Sequence, residues 1–374
     1  MKIAIFHPEF AFAGGAERMT FEQIRYFKKI GWEVDCFTAF IDRENCYPDK
    51  IGEYEIHQIL PGALNRIIPH QVMVVLATLC FALAFPAYCL LHSTYYNFFF
   101  GSNQAAPWWA FFASKMFKKP FAVYLNYPAR LKGPLMVVDK FIVKQANTCF
   151  ADGKFARLMC EKTYGRKFIN CPGGVDGGKF SRKIWEARWR DPYILITNRH
   201  FPAKRIDYGI KILKSLDTGH MPPVTLKITG AQTKYTQTLK KLVKKYELGN
   251  RVKFLDLIAD KDLKTLYRGA LVYLYTAPSE DFGLGILEAM ACGVPPVAWN
   301  NAGPKYIVEN GKTGFLAKPG DLDNFTDKVK KLLVSRRMNF KMALAAHVYS
   351  GEYPWDAHAR ILEHNIKGEI HSLV

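Results

Sequence analysis

The stretch Ser279-Glu280-Asp281-Phe282-Gly283-Leu284-Gly285-Ile286-Leu287-Glu288-Ala289-Met290-Ala291-Cys292-Gly293-Val294-Pro295 decides how this chain reads. It follows an apolar run, Ala270-Leu271-Val272-Tyr273-Leu274-Tyr275, that reads as a buried strand, so strand, loop and helix come in succession. The helix is expected to begin near Phe282. Its first N–H groups have no intrahelical partner, and Gly283 and Gly285 carry no side chain to hold a ligand away. Such a helix start attracts phosphate. Glu280 stands in the loop beside that anion site, and Glu288 falls on the second helical turn. Two carboxylates at different depths can accept hydrogen bonds from two sets of hydroxyls. Taken singly each is ordinary, since a loop acid or a helix-face acid is usually a solvated charge.

Together they form a pattern. Glu-x7-Glu enclosing Phe-Gly-Leu, with Glu-Ala-Met-Ala-x-Gly-x-Pro behind it, resembles the donor-site signature of retaining family-4 glycosyltransferases, which have the GT-B fold. The resemblance implies an α/β architecture of two Rossmann-like domains facing a central cleft. It gives Glu280 the donor sugar, the Phe282-Gly283-Leu284 backbone the sugar and diphosphate, and Glu288 the nucleotide ribose. Farther upstream, Asn198-Arg199-His200-Phe201-Pro202-Ala203-Lys204 follows the strand-like Tyr193-Ile194-Leu195-Ile196-Thr197. By themselves Arg199 and Lys204 read as surface cations. The family's Arg-x4-Lys at this position grips the donor diphosphate, and Arg205 stands where the family usually has Gly. The catalytic residues implied are Arg199, Lys204 and Glu280.

The chain's 374 residues suffice for two domains with separate cores, and a composition 49% hydrophobic and 23% charged is that of a globular protein. Two series of alternating strands and helices are read. They divide the chain into an acceptor-side, membrane-facing domain over 1–175, a polar linker over 176–192, a nucleotide-sugar donor domain over 193–350, and a terminal segment, 351–374, whose helix packs back on the first domain. Cysteines 36, 46, 80, 89, 149, 160, 171 and 292 form no Cys-x-x-Cys pair and no zinc-spaced set with histidine, and read as reduced, mostly buried thiols. The apolar start, Met1-Lys2-Ile3-Ala4-Ile5-Phe6, is too short for a signal peptide, so a cytoplasmic protein, peripheral on the cytosolic face of a membrane, is expected.

A net charge of +19 draws anions to the surface, and nucleotide-sugar, anionic membrane and nucleic acid compete as its partner. No nucleic-acid-binding motif is present, so nucleic acid is not expected. Gln71 to Leu91 holds 21 residues without formal charge. That length allows a transmembrane helix, a helix partly embedded in a bilayer surface, or a buried crossover. A single crossing would separate strands of one sheet, and Pro86 is expected to interrupt the helix. Ala106 to Lys119, with Trp108, Trp109, Phe111 and Phe112 followed by Lys115, Lys118 and Lys119, fits either sheet-packing core or a monotopic anchor on anionic headgroups.

Two further stretches bear on function. Gly14-Gly15, between a first strand and a helix over 17–30, either cradles phosphate or allows a tight turn; it is not Gly-x-Gly-x-x-Gly, which disfavours a nicotinamide dehydrogenase. The resemblance places both glycines near the donor phosphate. Tyr124-Leu125-Asn126-Tyr127-Pro128 stands where family members with lipid-linked acceptors read Tyr-x-His-Tyr-Pro, making Asn126, Tyr127 and Arg130 the acceptor-side candidates. Asn126 can hydrogen-bond a sugar hydroxyl and cannot titrate. Gly153 similarly replaces the usual Ser.

The function implied is retaining transfer of a hexose from a nucleoside diphosphate sugar, a co-substrate, to a glycan acceptor, with no cofactor and no metal expected. Gly14-Gly15-Ala16-Glu17-Arg18 and Asn301-Ala302-Gly303-Pro304 resemble mannosyltransferases that extend polyprenol-linked oligosaccharides. The rivals are an inactive homologue that holds nucleotide-sugar or oligosaccharide, suggested by Asn126 and Gly153, and a nucleotide-sugar epimerase.

Overall fold

The computed structural model describes residues 1–60, 70–216 and 223–371. By its contacts the chain forms two units, one of residues 1–173 and 355–374, the other of residues 174–354. Positions 372–374 of the terminal segment lie outside the described residues.

In the first unit the described strands are β1 (Lys2–Phe10), β2 (Glu33–Ile41), β3 (Ile56–Gln58), β4 (Phe98–Ser102), β5 (Phe121–Leu125), β6 (Thr148–Ala151) and β7 (Ile169–Asn170). They pair in parallel in the order β3-β2-β1-β4-β5-β6-β7. Its helices are α1 (Gly15–Lys29), α2 (Pro48–Glu53), α3 (His70–Leu91), α4 (Ala106–Phe117), α5 (Pro134–Gln145), α6 (Gly153–Tyr164) and the returning α15 (Trp355–His371). α15 is tied to α1 by Tyr26 donating to Glu363 at 2.8 Å and by the buried contact of Gln23 with His358.

The second unit holds β8 (Tyr193–Thr197), β9 (Thr225–Thr229), β10 (Val252–Leu255), β11 (Val272–Tyr275), β12 (Pro296–Trp299) and β13 (Phe315–Ala317), parallel in the order β10-β9-β8-β11-β12-β13. Its helices are α7 (Arg182–Ala187), α8 (Ile206–Ser215), α9 (Lys234–Lys245), α10 (Asp260–Gly269), α11 (Leu284–Ala291), α12 (Pro304–Ile307), α13 (Leu322–Val334) and α14 (Arg336–Ser350). Each unit is a doubly wound α/β fold, as the GT-B reading requires.

The stretch 176–192, expected to join the two series, is largely packed on the second unit. Trp185 of α7 is buried, with its indole donating to Asn339 at 2.8 Å. The Arg188 guanidinium donates to the carbonyls of Arg268, Gly293 and Cys292, each at 2.6 Å. A cation there satisfies carbonyls that the ends of α10 and α11 leave without helical partners.

One expectation about the first unit is corrected, and two open alternatives are narrowed. Pro86 stands inside α3 and leaves it unbroken. The helix is buried on one face, and among the described residues no helix is long and apolar enough to cross a membrane. Ala77, Phe81, Phe85 and Cys89, four apart and hence on one face, are buried, while Leu79, Leu83, Leu90 and Leu91 are exposed. The buried face meets the sheet through rings, with Phe81 edge-on to Phe6 at 4.9 Å and Phe85 edge-on to Phe37 at 5.0 Å. Trp108 and Trp109, considered as membrane anchors, are core residues whose indoles donate to Asp139 at 2.8 Å and Thr78 at 3.1 Å. Only Phe112 and Met116 of α4 are exposed apolar residues.

Candidate functional site

In the second sheet, strand order reverses between β8 and β11. The loops leaving the carboxyl ends of neighbouring strands diverge at such a point and form the crevice where doubly wound sheets bind ligands. Asn198 to Lys204 follows β8, and Thr276 to Gly283 follows β11. All the donor-side candidates except Gly14 and Gly15 therefore stand at one place, although 76 residues separate Lys204 from Glu280.

Lys204 closes a single turn of tight helix over Pro202–Lys204. Its ammonium pairs with Glu280 Oε2 at 2.5 Å, both side chains being about a quarter exposed (26% and 21%). Its carbonyl accepts from Thr276 Oγ1 at 3.0 Å, which fixes the turn against the end of β11. The Arg199 guanidinium lies 5.3 Å from the Phe201 ring. Arg205 adopts φ 49°, a left-handed conformation that a glycine meets without strain. Asp207 holds it there through bonds of 2.9 and 3.0 Å, with the guanidinium over Tyr208. Burial pushes the Asp207 carboxyl up, but the hydrogen bonds from Arg205 and Lys211 outweigh it and leave the acid below its ordinary value.

α11 begins at Leu284 rather than Phe282, because Phe282 turns into the core and Gly283 takes φ 106°. Glycine alone adopts that conformation readily. Glu288, on the second turn, accepts from the Tyr267 hydroxyl at 2.8 Å; that hydroxyl also meets Thr197 Oγ1 at 2.7 Å, and Thr197 meets the Tyr273 hydroxyl at 2.9 Å. Burial, and then the Glu288 charge, hold the Tyr267 phenol well above its ordinary value, so it stays a donor. Gly285 has a role different from the expected one. A Cβ there would lie 2.4 Å from the Tyr273 hydroxyl, so the glycine makes room for the phenols that orient Glu288.

The segment Asn301 to Pro304 supports the same loop. Gly303 N–H donates to the Glu280 carbonyl at 2.8 Å, Asn301 Nδ2 donates to the Pro278 carbonyl at 2.9 Å, and a Cβ on Gly303 would meet the Asp281 and Phe282 carbonyls at 2.5 Å. Sequence reading took Asn301 to Pro304 only as a pointer to the acceptor class, and gave Tyr267, Tyr273 and Thr197 no part in the site. Their signal is non-local, since β8 and β12 must pair on either side of β11 before Thr197, Tyr273 and the Asn301–Pro304 loop come together.

The remaining candidates lie in the first unit. Gly14 caps α1 with an extended backbone, φ −142°, and a Cβ there would meet the flexible Glu17 carboxylate at 2.5 Å; Gly15 opens the helix. Asn126 follows β5, the Tyr127 ring lies 6.2 Å from Phe155, and Arg130 lies over Tyr127 at 5.4 Å. Gly153, which opens α6, takes φ 81°, a conformation glycine adopts without strain. Among the described residues, no group of three or more His, Cys, Asp or Glu side chains is placed to hold a metal ion.

Known proteins share this organisation. Residues 179–347 match the family model described as glycosyl transferases group 1. An alpha-1,3/1,6-mannosyltransferase of Mus musculus is 22% identical over 92% of this chain and 90% of its own. Among solved structures, sucrose-phosphate synthase from Thermosynechococcus elongatus superposes with a TM-score of 0.84 at 19% identity, covering all of both chains. HepE of Anabaena, solved with UDP and glucose, gives a TM-score of 0.78 at 20% identity, covering 98% of this chain and 100% of that one. The chain is a glycosyltransferase enzyme with the GT-B fold.

Proposed function

We propose that this enzyme moves a hexosyl group, with retention at the anomeric carbon, from a nucleoside diphosphate sugar to a glycan acceptor, with mannose as the sugar and a polyprenol-linked oligosaccharide as the acceptor class. The observation that carries the reading is the convergence of Arg199, Lys204, Glu280, Glu288 and the start of α11 at the β8–β11 reversal. In this reading Glu288 accepts from the ribose hydroxyls, held for that purpose by Tyr267. Glu280 accepts from the donor sugar, and the diphosphate lies against the N–H groups that follow Gly283.

As the sugar–phosphate bond breaks, negative charge grows on the leaving oxygen and the sugar becomes oxocarbenium-like. Arg199, Lys204 and the α11 N–H groups stabilise that charge and so act chiefly in the transition state. Lys204 is held by Glu280 until the diphosphate draws it away. The acceptor enters on the face the diphosphate leaves, and the departing phosphate takes its proton, so no enzyme nucleophile and no cofactor is assigned. Gly14 and Gly15 are assigned to the donor phosphate, and Asn126, Tyr127 and Arg130 to the acceptor. The mannosyltransferase relative supports the choice of sugar.

The first unit docks on an anionic membrane in the same reading. α4 packs between α3 and α5. Together they expose Leu79, Leu83, Leu90, Phe112, Met116, Val137, Val138 and Phe141, with Lys115, Lys118, Lys140 and Lys144 also exposed. Between Glu55 and Asp152 the only acid is Asp139, which is buried. Apolar side chains with cations and no exposed acid fit a headgroup layer on the cytosolic face.

A thermal-shift panel of nucleoside diphosphates and their sugars, on wild type and Glu288→Ala, tests the donor site. A ligand bound to the native state raises the melting temperature. One base should raise it in the wild type and not in the variant, and Glu280→Ala should abolish transfer of the sugar. Interconversion of free donor without acceptor would favour an epimerase, and donor binding with no turnover would favour an inactive homologue.

A further inference from the structure

The loop that leaves β5 and leads into α5 carries Tyr127 and Arg130. Between them stands Ala129, whose N–H finds a partner far along the chain. It donates to the Tyr164 hydroxyl, 35 residues on, at 3.0 Å. Tyr164 is the last residue of α6 and is buried. Its hydroxyl in turn donates to Asp139 Oδ2 of α5 at 2.8 Å. The other carboxylate oxygen, Oδ1, accepts from the Trp108 indole of α4 at 2.8 Å. Three helices therefore converge on one acid, which is 2% exposed, and the acid connects through a single phenol to the backbone of the loop.

The sense of these bonds follows from the groups. An indole N–H and a backbone N–H can only donate, an ionised carboxylate can only accept, and a phenol does both with one proton. Because Asp139 takes the phenol proton, the Tyr164 oxygen turns a lone pair to Ala129. Donation to a charged acceptor also polarises the phenol and makes its oxygen the better acceptor. Burial pushes the Asp139 carboxyl above its ordinary value, and the bonds from Trp108 and Tyr164 work against that by favouring the anion. Stability alone does not account for such an arrangement, since replacing buried charge by apolar groups of similar volume is often neutral or stabilising. What the acid adds is a fixed direction for the chain of bonds from Ala129 through Tyr164.

We propose that Asp139 and Tyr164 are positioning residues, which pin the loop at Ala129 and thereby fix Tyr127 and Arg130 for the acceptor. The proposal rests on the glycosyl-transfer reading and on the assignment of this loop to the acceptor, and it adds the device that holds the loop in place. Both residues are buried and act through the backbone rather than on the substrate. Tyr164→Phe removes the phenol outright. Asp139→Asn keeps the shape and reverses one polarity: its oxygen still accepts from Trp108, but its NH2 faces the phenol. The phenol must then turn its proton elsewhere, and the bond to Ala129 weakens. Since the two substitutions break one chain at successive links, their effects do not add. Trp108→Phe is the control, because it strips the other carboxylate oxygen and leaves the connection to Ala129 intact.

The test uses full-length protein, the nucleoside diphosphate sugar found by thermal shift, and octyl α-mannoside, octyl α-glucoside and octyl β-N-acetylglucosaminide as probe acceptors. Release of nucleoside diphosphate is measured without acceptor, which reads donor hydrolysis, and over a range of each glycoside. At least one glycoside should raise the wild-type rate above hydrolysis. Tyr164→Phe and Asp139→Asn should each raise KM for that glycoside about tenfold, the worth of a hydrogen bond of roughly 1.4 kcal/mol, with donor KM and hydrolysis as in the wild type. The double variant should be no worse than Tyr164→Phe alone. Trp108→Phe should lower Tm and leave the glycoside KM unchanged, which separates positioning from lost stability. Deuterium exchange at the Ala129 amide should quicken in the first two variants and not in the control. An unchanged glycoside KM in Tyr164→Phe, additive effects in the double variant, or an equal rise in Trp108→Phe would overturn the proposal and leave the donor reading standing. A wild type that hydrolyses donor and is accelerated by no glycoside would overturn it as well, by removing the acceptor side on which it rests. A wild type that neither binds nor hydrolyses a donor would overturn the transferase reading and this proposal with it.

Discussion

Replacing Tyr267 by Phe tests whether the site depends on an oriented Glu288 or merely on a carboxylate in the vicinity. The substitution removes one hydroxyl from a side chain that is 2% exposed, and with it the bond of 2.8 Å to Glu288. Thr197 keeps its bond of 2.9 Å to Tyr273, so the rest of the network stands. A hydrogen bond to a charged group contributes about 1.5–3 kcal/mol when fully desolvated. Glu288 is partly exposed and water replaces some of that, so the lower end applies, about 1.4 kcal/mol, or tenfold in the nucleotide Kd. Gly285→Ala is the companion variant. Its Cβ, 2.4 Å from the Tyr273 hydroxyl, must displace the phenol. Overpacking costs about 1–3 kcal/mol, against about 1 kcal/mol regained from replacing glycine in a helix. Calorimetric titration with the nucleoside diphosphate found by thermal shift should show weakened binding for Tyr267→Phe, and for Gly285→Ala lower stability together with weakened binding. If Tyr267→Phe bound nucleotide as the wild type does while Glu288→Ala lost it, the orientation argument would be refuted.

Two other outcomes are expected. Burial holds His358 down to about 4 and His7 to about 3, well below the ordinary 6.5, against the pull of carbonyl hydrogen bonds. Both are neutral when folded and take a proton when unfolded below pH 6.5, so the stability they confer is complete above that value and is lost as pH falls toward 4, by about 1.4 kcal/mol per pH unit for each. His358→Gln should therefore lower Tm at pH 7.5 yet flatten its decline between pH 6.5 and 4.5, and an unchanged slope would show that His358 is not the group concerned. Leu83→Glu with Leu90→Glu, on side chains 79% and 80% exposed, should leave Tm nearly unchanged and abolish sedimentation with anionic vesicles at low salt. Failure of the wild type to sediment would remove the docking face from the functional reading.

How much the sequence shows depends on how local the cause is. The apolar run ending at Tyr275, the loop and the helix were legible because each follows from a few adjacent residues; the helix start was misplaced by two because the turning of Phe282 into the core has a tertiary cause. α3 was legible as a helix but its surroundings were not, since a helix apolar on every side gives no sign of which face the sheet will take. Packing of Phe81 and Phe85 on Phe6 and Phe37 decides it, and leaves the leucines outside. Gly285 was read as clearance for a ligand because glycine near a helix start usually is one; its neighbour Tyr273 lies on the strand below and is visible only in three dimensions. In the second sheet the groups with unusual demands, Lys204 and Glu280, stand where strand order reverses. A strand order is a property of pairing, so the motifs can be read from the sequence one at a time, but their assembly into a site depends on which strands become neighbours.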